Sequence, residues 1–190
     1  MRPRAWLALA ACAAALGAAA AQWDVTTLFE ALARERPGRA TFEEKRYLAL
    51  LDRPLVSTGE LSFTPPARLE KRTVAPRPER MVVDGERVTI ERAGKTLSLG
   101  LGENPAIAVL VESIRGTLAG DLASVTRTYS AALDGTRARW RLLLRPLDPA
   151  AAALVERVEI AGAEARVESV AIFHADGDRS VMTIAPDPAR

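Results

Sequence analysis

The chain predicts an α+β fold that is mainly β: a strongly curved antiparallel sheet of about eleven strands enclosing two or three helices. Three observations lead there. Apolar residues alternate with a period of two through most of the chain, as half-buried strands require. Gly, Pro and Asp-Gly signals separate the alternating runs at short intervals, as hairpins do. Helical periodicity is confined to two stretches, and no helix alternates with strands in the way that builds a parallel sheet.

In chain order, Asp24 caps an expected helix running to about Arg36, with Val25, Leu28, Phe29 and Leu32 on one stripe. Pro37-Gly38 stops it. Alternation begins at Ala40, with strands expected over 40–51 and 55–64, and Pro65-Pro66 ends the second. Runs at 69–75, 80–83, 87–92 and 96–99 extend the meander, the middle pair turning at Asp84-Gly85. Asn104-Pro105 opens a second helix, Asn as cap and Pro at the first helical position. Gly120 ends that helix, and Asp121 starts one more helical turn. Strands resume at 126–133 and 137–145 around Asp134-Gly135, then 155–161, 166–173 and 179–185, with a short helical linker at 148–153.

The strand faces are informative. From Arg139 to Arg145 the even positions are apolar and the odd ones mostly charged, so this strand has one dry and one wet face. Arg80 to Val83 and Val170 to Phe173 are apolar on both sides, which predicts that the helices also cover part of the outer surface. Leu, Val, Ala, Ile and Met dominate the dry faces, and alternation alone is the same for a packed core and for an apolar ligand cavity.

The first 21 residues stand apart. Arg2 and Arg4 precede an apolar run from Ala5 to Ala20, and Ala19-Ala20-Ala21 offers a signal-peptidase site before Gln22. The expected organisation is a cleaved signal peptide at 1–21 and a single domain at 22–190. Export implies a compartment without ATP or reduced nucleotide cofactors. A second reading takes Leu9-Ala10-Ala11-Cys12 as a lipobox, which would lipidate Cys12. Apart from Cys12 the chain holds no cysteine, so the exported domain has no thiol chemistry and no disulfide.

Charge excludes a further class. Once Arg2 and Arg4 leave with the signal, basic and acidic residues balance at 24 each. No basic stripe with interleaved aromatics exists, so no nucleic acid partner is expected.

The residues that look chemical read more simply as structure. His174 is the only histidine. With Ser180 and the nearby aspartates it permits a Ser-His-Asp reading, but no Gly-x-Ser-x-Gly elbow accompanies it, and a hairpin loop explains the same residues. Asp176, Asp178 and Ser180 mimic the start of a calcium loop whose sixth position is Val181 rather than Gly. Glu43 and Glu44 are adjacent on a strand, point to opposite faces and read as solvated charges. No catalytic residue, metal or cofactor is assigned.

Phe42-Glu43-Glu44-Lys45-Arg46, the run Ser57 to Glu70, Arg80 to Gly85, Trp140 to Pro146 and Asp176 to Ser180 follow one another in an order and spacing that resembles the LolA family, periplasmic carriers of outer-membrane lipoproteins. The resemblance covers Trp23 to Ala185. It implies a half-open antiparallel barrel of the LolA/LolB type, with a helical lid over an apolar cavity for acyl chains. On that reading Leu61, Phe63, Leu69, Met81, Val83, Trp140, Leu142 and Leu144 line the barrel, and Ile107, Leu110, Val111 and Ile114 line the lid. The implied partners are lipid or lipoprotein acyl chains, an inner-membrane donor and an outer-membrane acceptor, bound by a monomer. One departure stands out: the family's lid-holding arginine before the proline that ends strand two is Pro65 here, and Arg68 is the nearest substitute. The alternatives are a lipidated LolB-type receptor through Cys12, a lipid sensor, or a hydrolase using His174 and Ser180.

Overall fold

The computed structural model describes residues 23–35 and 38–187; the expected signal peptide at 1–21, with Cys12, and Gln22 lie outside the described residues. A helix α1 (Val25–Leu32) precedes six strands: β1 (Gly38–Tyr47), β2 (Leu55–Thr64), β3 (Arg68–Ala75), β4 (Glu79–Asp84), β5 (Arg87–Arg92) and β6 (Lys95–Gly100). Helices α2 (Pro105–Ala119) and α3 (Leu122–Thr128) follow. Then come β7 (Tyr129–Thr136), β8 (Arg139–Pro146), the short helix α4 (Pro149–Ala152), β9 (Val155–Ala163), β10 (Arg166–His174) and β11 (Arg179–Pro186). All strands join one antiparallel sheet of 11 strands in the order β6-β5-β4-β3-β2-β1-β11-β10-β9-β8-β7. The β1–β11 pairing, Phe42 opposite Ile184, splices the two meanders into this single sheet. The sheet does not close: β6 and β7 are free edges.

Asp24 starts α1 through a reciprocal cap. The Thr27 N–H donates to Asp24 Oδ1 at 2.8 Å, and the Asp24 N–H donates to Thr27 Oγ1 at 2.8 Å. These bonds hold the Asp24 carboxyl below its ordinary range. The helix stops at Leu32, short of the expected Arg36. Gly120 ends α2 with φ 67° and lies so close to α1 that a Cβ would come within 2.4 Å of the Ala33 nitrogen. Glycine is therefore required there both by conformation and by space.

Four local expectations need correction. Residues 126–128 are helical, because Asp121 caps α3 by accepting from the Ser124 N–H at 2.9 Å and so commits the segment to a helix. Asn104 makes no side-chain cap; its side chain reaches back to the Gly100 carbonyl. Strand β1 ends at Tyr47, not Leu51. The β7–β8 hairpin turns at Arg137-Ala138, while Asp134-Gly135 stays in the strand, where Gly135 sits opposite Trp140.

Among the described residues no helix covers the outer face as expected, since the helices pack into the hollow of the sheet. Outside, Val82 is shielded between neighbouring strands, and the Arg157 guanidinium lies 3.6 Å from the Phe173 ring centroid.

The hollow divides into two unlike halves. On the β7–β10 side, Leu28, Phe29 and Leu32 of α1 and Val125 of α3 interlock with Tyr129, Trp140, Leu142, Leu144, Val158 and Ile160. Every one of these side chains is at most 2% exposed, so this half is a close-packed core. On the β1–β5 side α2 is the main cover, with Leu101 from the short turn before it. There the smaller set Val83, Val88, Leu101 and Val111 is buried, and its neighbours Leu69, Met81, Ile90 and Ile107 remain half-buried.

Two cross-strand pairs set the wall of the hollow. Phe42 lies opposite Gly59, and Trp140 opposite Gly162. A Cβ at Gly59 would stand 2.9 Å from the Phe42 ring, and one at Gly162 would stand 2.7 Å from the Trp140 ring. Each glycine clears the space that its aromatic partner fills.

Candidate functional site

A cavity of about 610 Å³ lies under α2, walled mainly by the β1–β5 side and reaching the inner faces of β9–β11, with Leu32 and Ile160 of the packed half at its border. Of the residues expected to line a barrel, Leu61, Phe63, Leu69, Met81 and Val83 stand on its wall, and Ile107, Leu110, Val111 and Ile114 form its ceiling from α2. Val88 and Ile90 on β5, and Val170, Ile172, Met182 and Ile184 on β10 and β11, complete the apolar surface. Trp140, Leu142 and Leu144 do not line it. They lie in the packed half, under α1 and α3. Alternation assigned them to the dry face correctly, but only the placement of the helices decides which part of that face is filled.

The exposed residues on the lining are Glu35, Gly38, Arg39, Glu164 and Arg166. All lie on one rim of the sheet, where β1 begins, β9 ends and β10 begins, so the cavity opens there. Away from that rim the wall carries an ion pair. Lys71 Nζ donates to Glu44 Oε2 at 2.5 Å, and the Ser57 hydroxyl donates to the same oxygen at 3.4 Å. Lys71 Nζ also lies 5.0 Å from the Phe42 ring centroid. Glu44, expected to be solvated, is 9% exposed. The signal was present in the period of β1, since Phe42 and Glu44 share a face. Lys71 likewise shares the face of Leu69.

Helix α2 is anchored to the rest of the fold by two side chains. Tyr129, buried in the packed half, donates its hydroxyl to the Val109 carbonyl of α2 at 2.5 Å, and burial pushes its phenol up to about 12. Towards the C-terminal end of α2, Arg115 donates to the Gly85 carbonyl in the β4–β5 hairpin at 2.7 Å and pairs with Glu112 and Glu86. Arg68 instead pairs with Asp84 at 2.7 Å and Glu70 at 3.8 Å on the sheet surface. The arginine that ties α2 to the sheet is thus on α2 itself, and sequence reasoning did not single it out.

His174 ends β10 and Ser180 lies in β11, rather than in the hairpin loop between them. Ser180 is buried on the cavity wall. The aspartates hold turns: Asp178 Oδ1 accepts from the Ala49 N–H at 2.8 Å, and Asp176 Oδ1 accepts from the Asp178 N–H at 3.0 Å. Among the described residues no helix is long and apolar enough to cross a membrane.

A sequence profile described as "Outer membrane lipoprotein carrier protein LolA-like" matches residues 17–187. No curated protein sequence matches the chain. Among solved structures, the chain is similar to a LolA superfamily protein from Nitrosomonas europaea, with a TM-score of 0.48, 10% identity, and coverage of 85% of this chain and 91% of that one. A putative outer membrane lipoprotein-sorting protein domain from Vibrio parahaemolyticus gives a TM-score of 0.46 at 7% identity, covering 84% and 88%. The Pseudomonas aeruginosa MucA/MucB complex gives 0.45 at 16% identity, covering 87% of this chain and 59% of that one.

Proposed function

The chain belongs to the outer membrane lipoprotein carrier protein LolA-like family, and from that premise we propose that it is a periplasmic carrier. It takes acyl chains of a lipoprotein or another lipid into its cavity and escorts them towards the outer membrane. The observation that carries this reading is the contrast within one sheet: one part is packed solid, the other keeps about 610 Å³ of mostly apolar space under α2. That volume lies within the ~300–1,000 Å³ typical of small-molecule sites.

The energetics suit a carrier. Each buried methylene contributes about 0.8 kcal/mol, so ten of them contribute roughly 8 kcal/mol, a barrier to crossing water unescorted. Aliphatic walls tolerate many chain shapes, and a lid held by few polar contacts permits release. No step calls for a catalytic group. An inner-membrane donor and an outer-membrane acceptor complete the proposed path, with cleavage before Gln22 delivering an unlipidated monomer.

Mass spectrometry of lipids co-purifying with the protein from its native envelope tests the reading, together with displacement of the apolar fluorophore N-phenyl-1-naphthylamine. Stoichiometric acyl lipid and saturable probe binding are expected. A protein that carries no lipid and binds no probe overturns it.

A further inference from the structure

We propose that the Glu44–Lys71 pair, together with Ser180, is a polar recognition point inside the cavity. It would take an acyl ligand bearing a neutral group that both donates and accepts a hydrogen bond, a hydroxyl or a secondary amide. The inference rests on the lipid-cavity reading and deepens it by naming the ligand class.

The pair stands in a mostly apolar stretch of wall, with Leu61 and Met81 opposite Lys71, and Met182 opposite Glu44. An ion pair withdrawn from water gains little over apolar side chains of the same size, because desolvation offsets its attraction. Its local hydrogen bonding is incomplete on both sides. Lys71 and Ser57 both donate to Glu44 Oε2. Glu44 Oε1 accepts from no donor among the described residues. Lys71 has three N–H donors, of which one reaches Glu44. Ser180 lies diagonally across the β1–β11 pairing from Glu44, and its hydroxyl has no partner among the described residues.

The cavity wall therefore presents a donor, an acceptor and a hydroxyl with no net charge. A carboxylate would meet Glu44, and a cation would meet Lys71. A group that gives one hydrogen bond and takes another satisfies both without repulsion, while its hydrocarbon lies along Leu61, Met81 and Ile90.

The test is displacement of N-phenyl-1-naphthylamine from the purified protein by four ligands that share a ten-carbon chain: decan-1-ol, N-methyldecanamide, 1-chlorodecane and decanoate. The alcohol and the amide are expected to displace the probe at roughly tenfold lower concentration than the chloride or the carboxylate. Plain hydrophobicity predicts the opposite order for the alcohol and the chloride. In the double variant Glu44→Leu/Lys71→Met the preference should vanish. Equal displacement by all four ligands in the parent overturns the inference, as does a preference that survives in the double variant. The parent series needs no variant, so it decides the matter even if the double variant misfolds. A parent that binds no probe removes the cavity reading itself, a different outcome from a cavity that binds without preference.

Discussion

Leu142→Glu and Leu61→Glu place the same charge on the same face of one sheet, and the structure predicts opposite results. Leu142 is fully buried between Leu133 and Ile160, with 0% exposure. Replacing it forfeits about 1.5–3 kcal/mol of apolar burial. It also buries a carboxyl with no partner, which costs several kcal/mol more even if the group takes up a proton. The sum, ~5 kcal/mol or above, rivals the ~5–15 kcal/mol that holds a domain folded. Leu61 is half-buried on the cavity wall, directly opposite Lys71. A glutamate there can reach solvent through the open cavity, so only part of the apolar burial is lost, about 1–2 kcal/mol. At ~2–4 °C per kcal/mol for a domain of this size, Leu61→Glu should melt cooperatively within roughly 8 °C of the parent. Leu142→Glu should lose its cooperative transition or melt more than about 10 °C lower. Thermal melts followed by far-UV circular dichroism, paired with probe binding, make the comparison. Leu61→Glu should fold and bind the probe weakly. Two variants that melt alike, or a Leu142→Glu that melts like the parent, would refute the division into a packed and a hollow half.

Arg115→Met removes the clasp between α2 and the Gly85 carbonyl. It should cost about 1.5–3 kcal/mol and speed hydrogen exchange in α2 and the β4–β5 hairpin while leaving α1 protected. Gly59→Ala should destabilise by roughly 1–3 kcal/mol in urea melts, because its Cβ meets the Arg72 carbonyl and the Phe42 ring, whereas Gly102→Ala, with open space around it, should cost little. The Tyr129 phenol is raised in the folded state to about 12, so its contribution is complete below the unfolded pKa near 10 and is lost as pH rises from about 10 to about 12. Urea melts at pH 8 and 11.5 should therefore show the stability gap between the parent and Tyr129→Phe shrinking by roughly 2 kcal/mol; a gap independent of pH would contradict the burial of that hydroxyl. Intact mass of the exported protein should correspond to a chain beginning at Gln22, and acylation at Cys12 would favour the lipidated receptor instead.

Most of the architecture is legible because its signals are local. The period of two in Arg139 to Arg145, the Asp84-Gly85 turn and the stripe Ile107, Leu110, Val111, Ile114 each depend on neighbours within a few residues. The errors fall where two local signals compete. Asp134-Gly135 reads as a turn, yet Gly135 is held in β7 opposite Trp140. Thr126 to Thr128 carry strand propensity, yet the Asp121 cap draws them into α3. Glu44 read as solvent-facing because charge outweighed face; its partner Lys71 lies 27 residues away, a separation no window of local pattern spans. Arg115 escaped notice for the same reason, since its acceptor at Gly85 lies 30 residues back in the chain.

The split of the dry face was the one matter of function that local pattern did not hold. Leu61 and Leu142 carry the same alternation, the same side chain and the same inward direction. Period assigns a residue to a face, and that much the amino-acid order determined. Whether the face is packed or hollow depends on the volume brought to it from elsewhere. Leu28, Phe29 and Leu32 of α1 and Val125 of α3 fill the space above Leu142, while the space between Leu61 and α2 stays hollow. That difference exists only once the sheet has curved and the helices have docked.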